Sequence, residues 1–501
     1  MSHVDPLATY TASRPVGSAV VDLESSRQWT YEELNRAVDR LAAWLVGEFG
    51  ENSGARVATL AKNCAEILIL QLAGARAGII FVPLNWRLAD AEIEALVADA
   101  GPAVLFLEAG FAAPSKATRI LPIADALALG AHGNRPPRSA RRPFDAVTTL
   151  LYTSGTSGRP KGVMLSEANA FWGCINFIFG NHVTMHSVFL CDMPLFHTAG
   201  LYAAARVPLQ AGGCVLISKG FDAQKTLQRL CDPALGVTHY FSVPQMAARL
   251  WNEPGFDPQR LRKLVGWAIG GAPNPKAQTE RFVRAGIKIT EGFGMSETGS
   301  NFGMPTHDIE LLCRKAGSCG VPFMTVEPKI VDEAGHEVQA GTVGELWLRG
   351  PCITSGYWNQ PETTAKAFRD GWFLTGDAAM RDEDGFYYIV DRRKDMYISG
   401  GENIYPAEVE AAIAELTEVA ECAVVGVPDA RWGEVGRVYV VPVSGRAITA
   451  EELLAHCARR LAKFKVPRTA VITDSLPRTS SGKVQKHLLR KRAIEELAAH
   501  S

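Results

Sequence analysis

The strongest chemical signal in the chain is Thr153-Ser-Gly-Thr-Ser-Gly-Arg-Pro-Lys-Gly162. Gly155, Gly158 and Gly162 let backbone amides come close to a ligand, Thr153, Ser154, Thr156 and Ser157 add hydroxyl donors, and Lys161 adds a mobile positive charge. Together these suit a polyphosphate. The loop is not a Walker A motif, because Pro160 stands where a glycine would precede the lysine and Gly162 replaces the following Ser/Thr; this argues against a P-loop ATPase or kinase. In Glu291-Gly-Phe-Gly-Met-Ser-Glu-Thr-Gly299, an aromatic between glycines can stack on a flat ring, and Glu297 followed by Thr298 can hold Mg²⁺ and phosphate oxygens. A plain strand-end turn is the competing reading of that segment. In Gly371-Trp-Phe-Leu-Thr-Gly-Asp377, an acid at a strand end can chelate ribose hydroxyls. Pro477-Arg-Thr-Ser-Ser-Gly-Lys483 puts a lysine on a glycine-bearing turn. His197, in Pro194-Leu-Phe-His-Thr-Ala-Gly200, is either a satisfied core histidine or a polar group at a site. His182 and His186 are four apart but lack a carboxylate or third ligand, which argues against a metal there.

These motifs need elements to carry them. The β-branched, apolar run from Asp145 to Tyr152 reads as a strand delivering the chain into the glycine-rich loop. Thr30-Tyr-Glu-Glu33 is a capping box, with Leu34, Val38, Leu41 and Leu45 on one face of the helix behind it. Residues 131–145 form a proline- and arginine-rich connector. A second boundary falls at Asp391-Arg-Arg-Lys-Asp395, between strand-like runs at Tyr387–Val390 and Met396–Ile398. Beyond it a separate pattern begins: a helix from Pro406, a strand from Cys422 to Val427, and a helix from Thr449, whose Thr449-Ala-Glu-Glu452 is another capping box. The expected fold is α/β: a large layered N-terminal domain of α/β subdomains plus a β-rich subdomain, residues 1–391, then a small C-terminal α+β domain, residues 396–501.

Composition excludes several function classes. The 501 residues are 47% apolar and 21% charged, enough for a sizeable core and against disorder. A net charge of −1 gives no whole-chain field for nucleic acid or a membrane surface. The ten cysteines contain no C-x-x-C pair and read as reduced thiols in a cytoplasmic protein. The N-terminus shows no secretory signal, and Ile67–Leu84 is too interrupted to span a membrane; it reads as a buried helix then a strand. Between Arg459 and Arg492 there are eleven Lys/Arg and one acid, Asp474. That run is either a solvated face or a surface for phosphates.

In order and separation, Leu150–Gly162, Glu291–Gly299, Gly371–Asp377, Asp391–Pro406 and Pro477–Lys483 resemble the acyl-adenylate-forming superfamily of acyl-CoA synthetases, adenylation domains and luciferases, over nearly the whole chain. Ser399-Gly-Gly-Glu-Asn-Ile-Tyr-Pro-Ala-Glu408 is similar to the C-domain loop of CoA ligases. The resemblance implies ATP, Mg²⁺ and coenzyme A, and two half-reactions: adenylation of a carboxylate, then transfer to the CoA thiol. It implies that Thr153 to Lys161 holds the β- and γ-phosphates. Gly271, Ala272 and Pro273 would form an adenine wall beside Gly270; Glu291 to Thr298 (Gly292, Phe293, Gly294, Met295, Ser296) would contact adenine, α-phosphate and Mg²⁺, with Glu297 as metal partner. Asp377 and Arg392 match ribose positions, Lys483 the adenylation lysine, and Lys394 a hinge at 392–395 about which the small domain rotates. His197, Thr198, Leu201 and Gly270 would line the acyl site. Gly400 and Gly401 leave room for pantetheine, with Trp432, Phe464, Lys465 and Arg468 as candidates for the CoA nucleotide. No cation is evident among the pocket candidates, which disfavours a dicarboxylate. A medium or long fatty acid leads, with an aryl or arylpropenoic acid close behind; a separate carrier protein is an alternative acceptor, and a homodimer stays open.

Overall fold

The computed structural model describes residues 5–130, 143–153, 160–272, 274–305, 308–392, 395–399, 402–429, 432–461, 463–478 and 483–499. Both capping boxes form. Thr30 Oγ1 accepts from the Glu33 amide at 3.2 Å while the Thr30 amide donates to Glu33 Oε2 at 2.9 Å. Thr449 and Glu452 repeat the exchange at the head of helix Ala450–Arg460. Ile67–Leu84 resolves into a helix, Ala65–Ala77, ended by Gly78 in the left-handed region, and the strand Ile80–Leu84.

Two α/β layers make the N-terminal body. In the first, strands run in the order Ile120–Pro122, Val104–Leu107, Arg56–Leu60, Ile80–Leu84, Val147–Thr153, Lys161–Ser166, parallel except for the last pair. The second is a nine-stranded sheet whose central strands Gly266–Ile269, His239–Ser242, Val188–Cys191 and Cys214–Ile217 are parallel. Both ends are antiparallel, the pair Ser18–Asp22 and Arg27–Thr30 at one and, at the other, the hairpin of Ile289–Met295 and Gly299–Gly303, where Gly299 has a φ of +63° that suits glycine. One core cluster runs through both layers, from Leu34 and Phe81 to Phe189 and Val215. Inside it the Arg206 guanidinium donates to Glu167, both side chains about 4% exposed or less.

A smaller antiparallel sheet follows: Glu327–Val331, Gly344–Arg349, Trp372–Arg381 and Phe368–Arg369, with Tyr387–Arg392 on the third of these. This is the expected β-rich part. The C-terminal region has its own five strands, Glu402–Ile404, Tyr397–Ser399, Gly433–Pro442, Val419–Asp429 and Thr469–Ile472. Helices Pro406–Ile413 and Lys486–Ala499 pack on the strand Val419–Asp429, over separate apolar clusters. That strand is longer than Cys422–Val427, because its ladder with Gly433–Pro442 continues past the apolar run. The connector at 131–142 and the hinge lysine Lys394 lie outside the described residues. Among the described residues, no helix is long and apolar enough to cross a membrane. All ten cysteines are free thiols, most of them buried.

Candidate active site

A cavity of about 550 Å³ opens where the two α/β layers meet the small domain. One rim comes from the first layer. The strand Val147–Thr153 brings Thr153 to the cavity, and Thr153 pairs in antiparallel register with Lys161. Ser154, Gly155, Thr156, Ser157 and Gly158 lie outside the described residues, as does Pro273.

The second layer supplies the flat wall. Strand Gly266–Ile269 ends at Gly270, Gly271 and Ala272, which line the cavity, as does Glu291, beside Ile269 in parallel register. A Cβ on Gly270 would press 3.2 Å from Phe241, so bare backbone is what fits. Glu291 accepts from Thr279 Oγ1 at 2.6 Å and from the Gly317 amide at 3.3 Å. Burial outweighs those bonds and pushes its carboxyl up to about 7. Gly292, Phe293, Gly294, Met295 and Ser296 follow along the wall. Thr298 behaves differently from its expected role. It is fully buried, donates to Asn301 Oδ1 and accepts from the Met295 amide, so its hydroxyl locks the hairpin. Ser296 instead meets Thr198, whose hydroxyl donates to Ser296 Oγ at 3.2 Å.

Asp377 is buried, and in the sheet register it stands opposite Arg392. Gly376 precedes it with φ of +71°, at a kink in the strand that glycine accommodates. The Arg392 side chain lies outside the described part. Glu297 is nearly buried; one carboxylate oxygen accepts from the Tyr357 hydroxyl at 3.1 Å.

The opposite part of the cavity is built on helix Glu167–Gly180. Asn169, Ala170, Gly173, Cys174 and Phe177, with Asn181 just past its end, form one stripe facing the cavity at helical spacing. Facing it, the wide-turn π-helix Ala199–Arg206 offers Ala199, Tyr202 and Ala203, with Thr198 before it. Leu201 does not join them: two positions after Ala199, it falls on the opposite face of the helix and is fully buried in the core. Phe241, Phe293, Phe302 and Phe323 add aromatic rings to a lining that also holds aliphatic residues such as Met246, Val243 and Met304. Tyr202 OH lies beside Thr149 Oγ1, and neither atom makes a hydrogen bond of good geometry. Of the four aromatics on the helix, Phe177 lines the cavity whereas Phe179 is 59% exposed.

His197 and Lys483 both line this cavity, one from the N-terminal body and one from the small domain. The His197 Nε2 is buried without a hydrogen-bond partner among the described residues. Burial first, then the positive charges of Lys483 and Arg87, drives its pKa down to about 3, so the ring is neutral. Nothing in the sequence marked Arg87 and Arg249, which also line the cavity and correct the expectation that it holds no cation. Arg87 stacks on Trp86 and Phe196, and Arg249 on Phe221.

On the small domain, Trp432 is 43% exposed and Arg468 is exposed, while Lys465 pairs with Glu408 at 2.5 Å. Gly400, Gly401 and the Phe464 side chain lie outside the described part. The basic run is less of a field than its sequence suggests. Arg460, Lys465, Arg478, Lys486 and Arg490 each reach an acid from another element of the same domain.

Two family models match: the AMP-binding enzyme over residues 8–358 and the AMP-binding enzyme C-terminal domain over residues 408–483. The chain is an ATP-dependent acid–thiol ligase of the AMP-forming, acyl-CoA synthetase type. It belongs to the AMP-binding enzyme family, within the acyl-adenylate-forming superfamily. It is 40% identical to the feruloyl-CoA synthase of Amycolatopsis sp over 466 residues, covering 92% of this chain and 94% of the relative. Identity to the indoleacetate–CoA ligase of Aromatoleum aromaticum is 35% over 487 residues, 93% of each chain. The o-succinylbenzoate coenzyme A synthetase of Bacillus subtilis in complex with its acyl-adenylate superposes with a TM-score of 0.88 at 29% identity, covering 98% of both chains. In complex with ATP and magnesium ion, the same enzyme gives 0.86 at 29% identity over 98% and 99%.

Proposed function

We propose that this enzyme activates an aryl or arylpropenoic carboxylic acid as its acyl-adenylate and passes the acyl group to coenzyme A. The observation that carries the reading is the acyl end of the cavity, walled by Phe177, Tyr202, Phe241, Phe293, Phe302 and Phe323. Such a lining matches a flat ring better than a long flexible chain. Relatives named for ferulate, indoleacetate and succinylbenzoate support the aryl reading over the fatty-acyl one.

At neutral pH the acid is ionised and needs no general base. Its carboxylate oxygen attacks the α-phosphorus of ATP, the bond to the bridging oxygen breaks, and pyrophosphate leaves. The difficulty is anion meeting anion. In this reading Thr153 and Lys161, with Ser154, Gly155, Thr156, Ser157 and Gly158, hold the outer phosphates, Lys483 offsets charge on the phosphoryl oxygens, and Asp377 with Arg392 holds the ribose. Gly271, Ala272, Pro273 and Phe293 frame the base. Neutral His197 offers its unpaired Nε2 to the acid without repelling Lys483. Glu297 fits Mg²⁺ that arrives with the nucleotide. It is a single carboxylate, and no cluster of three ligating side chains exists among the described residues, which suits a hard cation held mainly by phosphate and water. That cation would neutralise phosphate charge.

Transfer needs the thiol to reach the acyl carbon while AMP leaves. Lys483 occupies the cavity in this arrangement, so rotation of the small domain about 392–395 would clear it and bring Gly400 and Gly401 to the pantetheine path, with Trp432, Phe464, Lys465 and Arg468 near the CoA nucleotide. The test is AMP release with CoA against a panel of aryl, arylpropenoic and fatty acids, repeated with a carrier protein as acceptor. Preference for aromatic acids and CoA is expected. Higher kcat/KM on fatty acids, or transfer to the carrier alone, would sink the reading.

A further inference from the structure

One side chain outside the roles above touches both halves of the phosphate machinery. Tyr357 is 7% exposed. Its hydroxyl donates to Glu297 Oε1 at 3.1 Å, and the Lys161 ammonium lies 4.9 Å from the centre of its ring. The backbone around it grips the same two places. The Thr354 amide donates to the Glu297 carbonyl at 2.7 Å, and the Trp358 amide donates to the Gly162 carbonyl at 2.7 Å. Gln360 Nε2 donates to the Pro160 carbonyl at 3.1 Å, and Tyr357 bridges to Val163 in the strand that begins with Lys161. Residues 354–360 therefore tie the hairpin that carries Glu297 to the strand that carries Lys161.

We propose that Tyr357 is a positioning residue that sets the Glu297 carboxylate and the Lys161 ammonium as one unit for magnesium-bound triphosphate. The inference rests on the adenylate-forming reading of the site. A hydroxyl bonded to one carboxylate oxygen fixes the orientation of the other, and carboxylates that bind cations depend on such outer partners. The ring meanwhile holds the lysine face-on by its quadrupole, keeping it beside the loop that receives phosphate. Phe at this position would keep the ring and lose the hydroxyl, so the two contributions separate cleanly.

The experiment is calorimetric ATP binding to the full chain, with Mg²⁺ and with EDTA, for wild type, Tyr357→Phe and Tyr357→Leu, alongside unliganded melting temperatures. In Tyr357→Phe, affinity in EDTA stays near wild type, while the gain in affinity conferred by Mg²⁺ falls about 10–100-fold. In Tyr357→Leu, affinity in EDTA also falls, about two- to fivefold. A Phe variant with the full magnesium gain overturns the assignment. So does one that loses magnesium-free binding and melting temperature together, since that would mark a purely structural tyrosine. A wild-type chain that binds no ATP under either condition would instead overturn the adenylate-forming reading, and this assignment with it.

Discussion

Lys483 and His197 face one cavity from different domains, and the ammonium's charge adds to burial in keeping the imidazole neutral. Removing Lys483 should therefore be felt twice. Lys483→Ala is expected to slow acid-dependent exchange of labelled pyrophosphate into ATP by about 10²–10³, the cost of one lost electrostatic contact. Thioester formation from supplied acyl-adenylate and CoA should survive. Exchange at the wild-type rate would remove Lys483 from the chemistry.

The neutral state of His197 has its own signature. The folded pKa of about 3 lies below the ordinary 6.5, so the unfolded chain binds the extra proton first. Stability from this group is complete above pH 6.5 and declines as pH falls toward 3. The ring signal that disappears in His197→Asn should show no titration between pH 5 and 8. A midpoint near 6.5 would refute this.

Glu291 runs the opposite way. Its carboxyl titrates near 7 when folded and near 4.5 when unfolded, so the folded chain holds the extra proton between those values. Stability from this group is present below pH 4.5 and is lost as pH rises through 7, by on the order of 3 kcal/mol. Glu291→Gln should flatten the rise of the urea midpoint on acidification across that window. An unchanged profile would show that Glu291 is ionised throughout.

Arg206 and Glu167 form a buried ion pair in the core, with burial lowering the guanidinium to about 10, still charged at neutral pH. Glu167→Ala removes the partner Arg206 donates to, leaving only the more distant charge of Asp5, and should cost about 3–5 kcal/mol. Pairing Arg206→Met with Glu167→Leu should recover most of the loss in chemical denaturation. If the double variant is as unstable as the single, the pair contributes more than charge balance.

Local chemistry is what made much of this molecule legible. Capping boxes at Thr30 and Thr449, the strand before Thr153 and the helix–strand pair at Ile67–Leu84 each depend on neighbours in sequence, and each formed. The glycine-rich motif was equally visible as a candidate phosphate loop, since glycines, hydroxyls and a lysine in one loop have few other uses. The acyl wall was not. Ala170, Gly173 and Cys174 look like ordinary helix packing until a partner element shows that they face a void. The resemblance alone places Leu201 at the acyl site; the helix it sits on turns it into the core instead. The basic run from Arg459 left a solvated face and a phosphate surface both open, because its acidic partners, Glu408, Glu410, Glu415, Glu421 and Glu434, come earlier in the chain. Arg87 had no motif at all; only tertiary folding brings it beside His197.

The Phe323 ring fills the space that a Cβ on Gly180 or on Gly303 would need. Three positions from separate parts of the chain thus share one parcel of volume at the aromatic wall. A side chain at either glycine would require the phenyl group to move or shrink in the same step, so the three positions constrain one another's replacement.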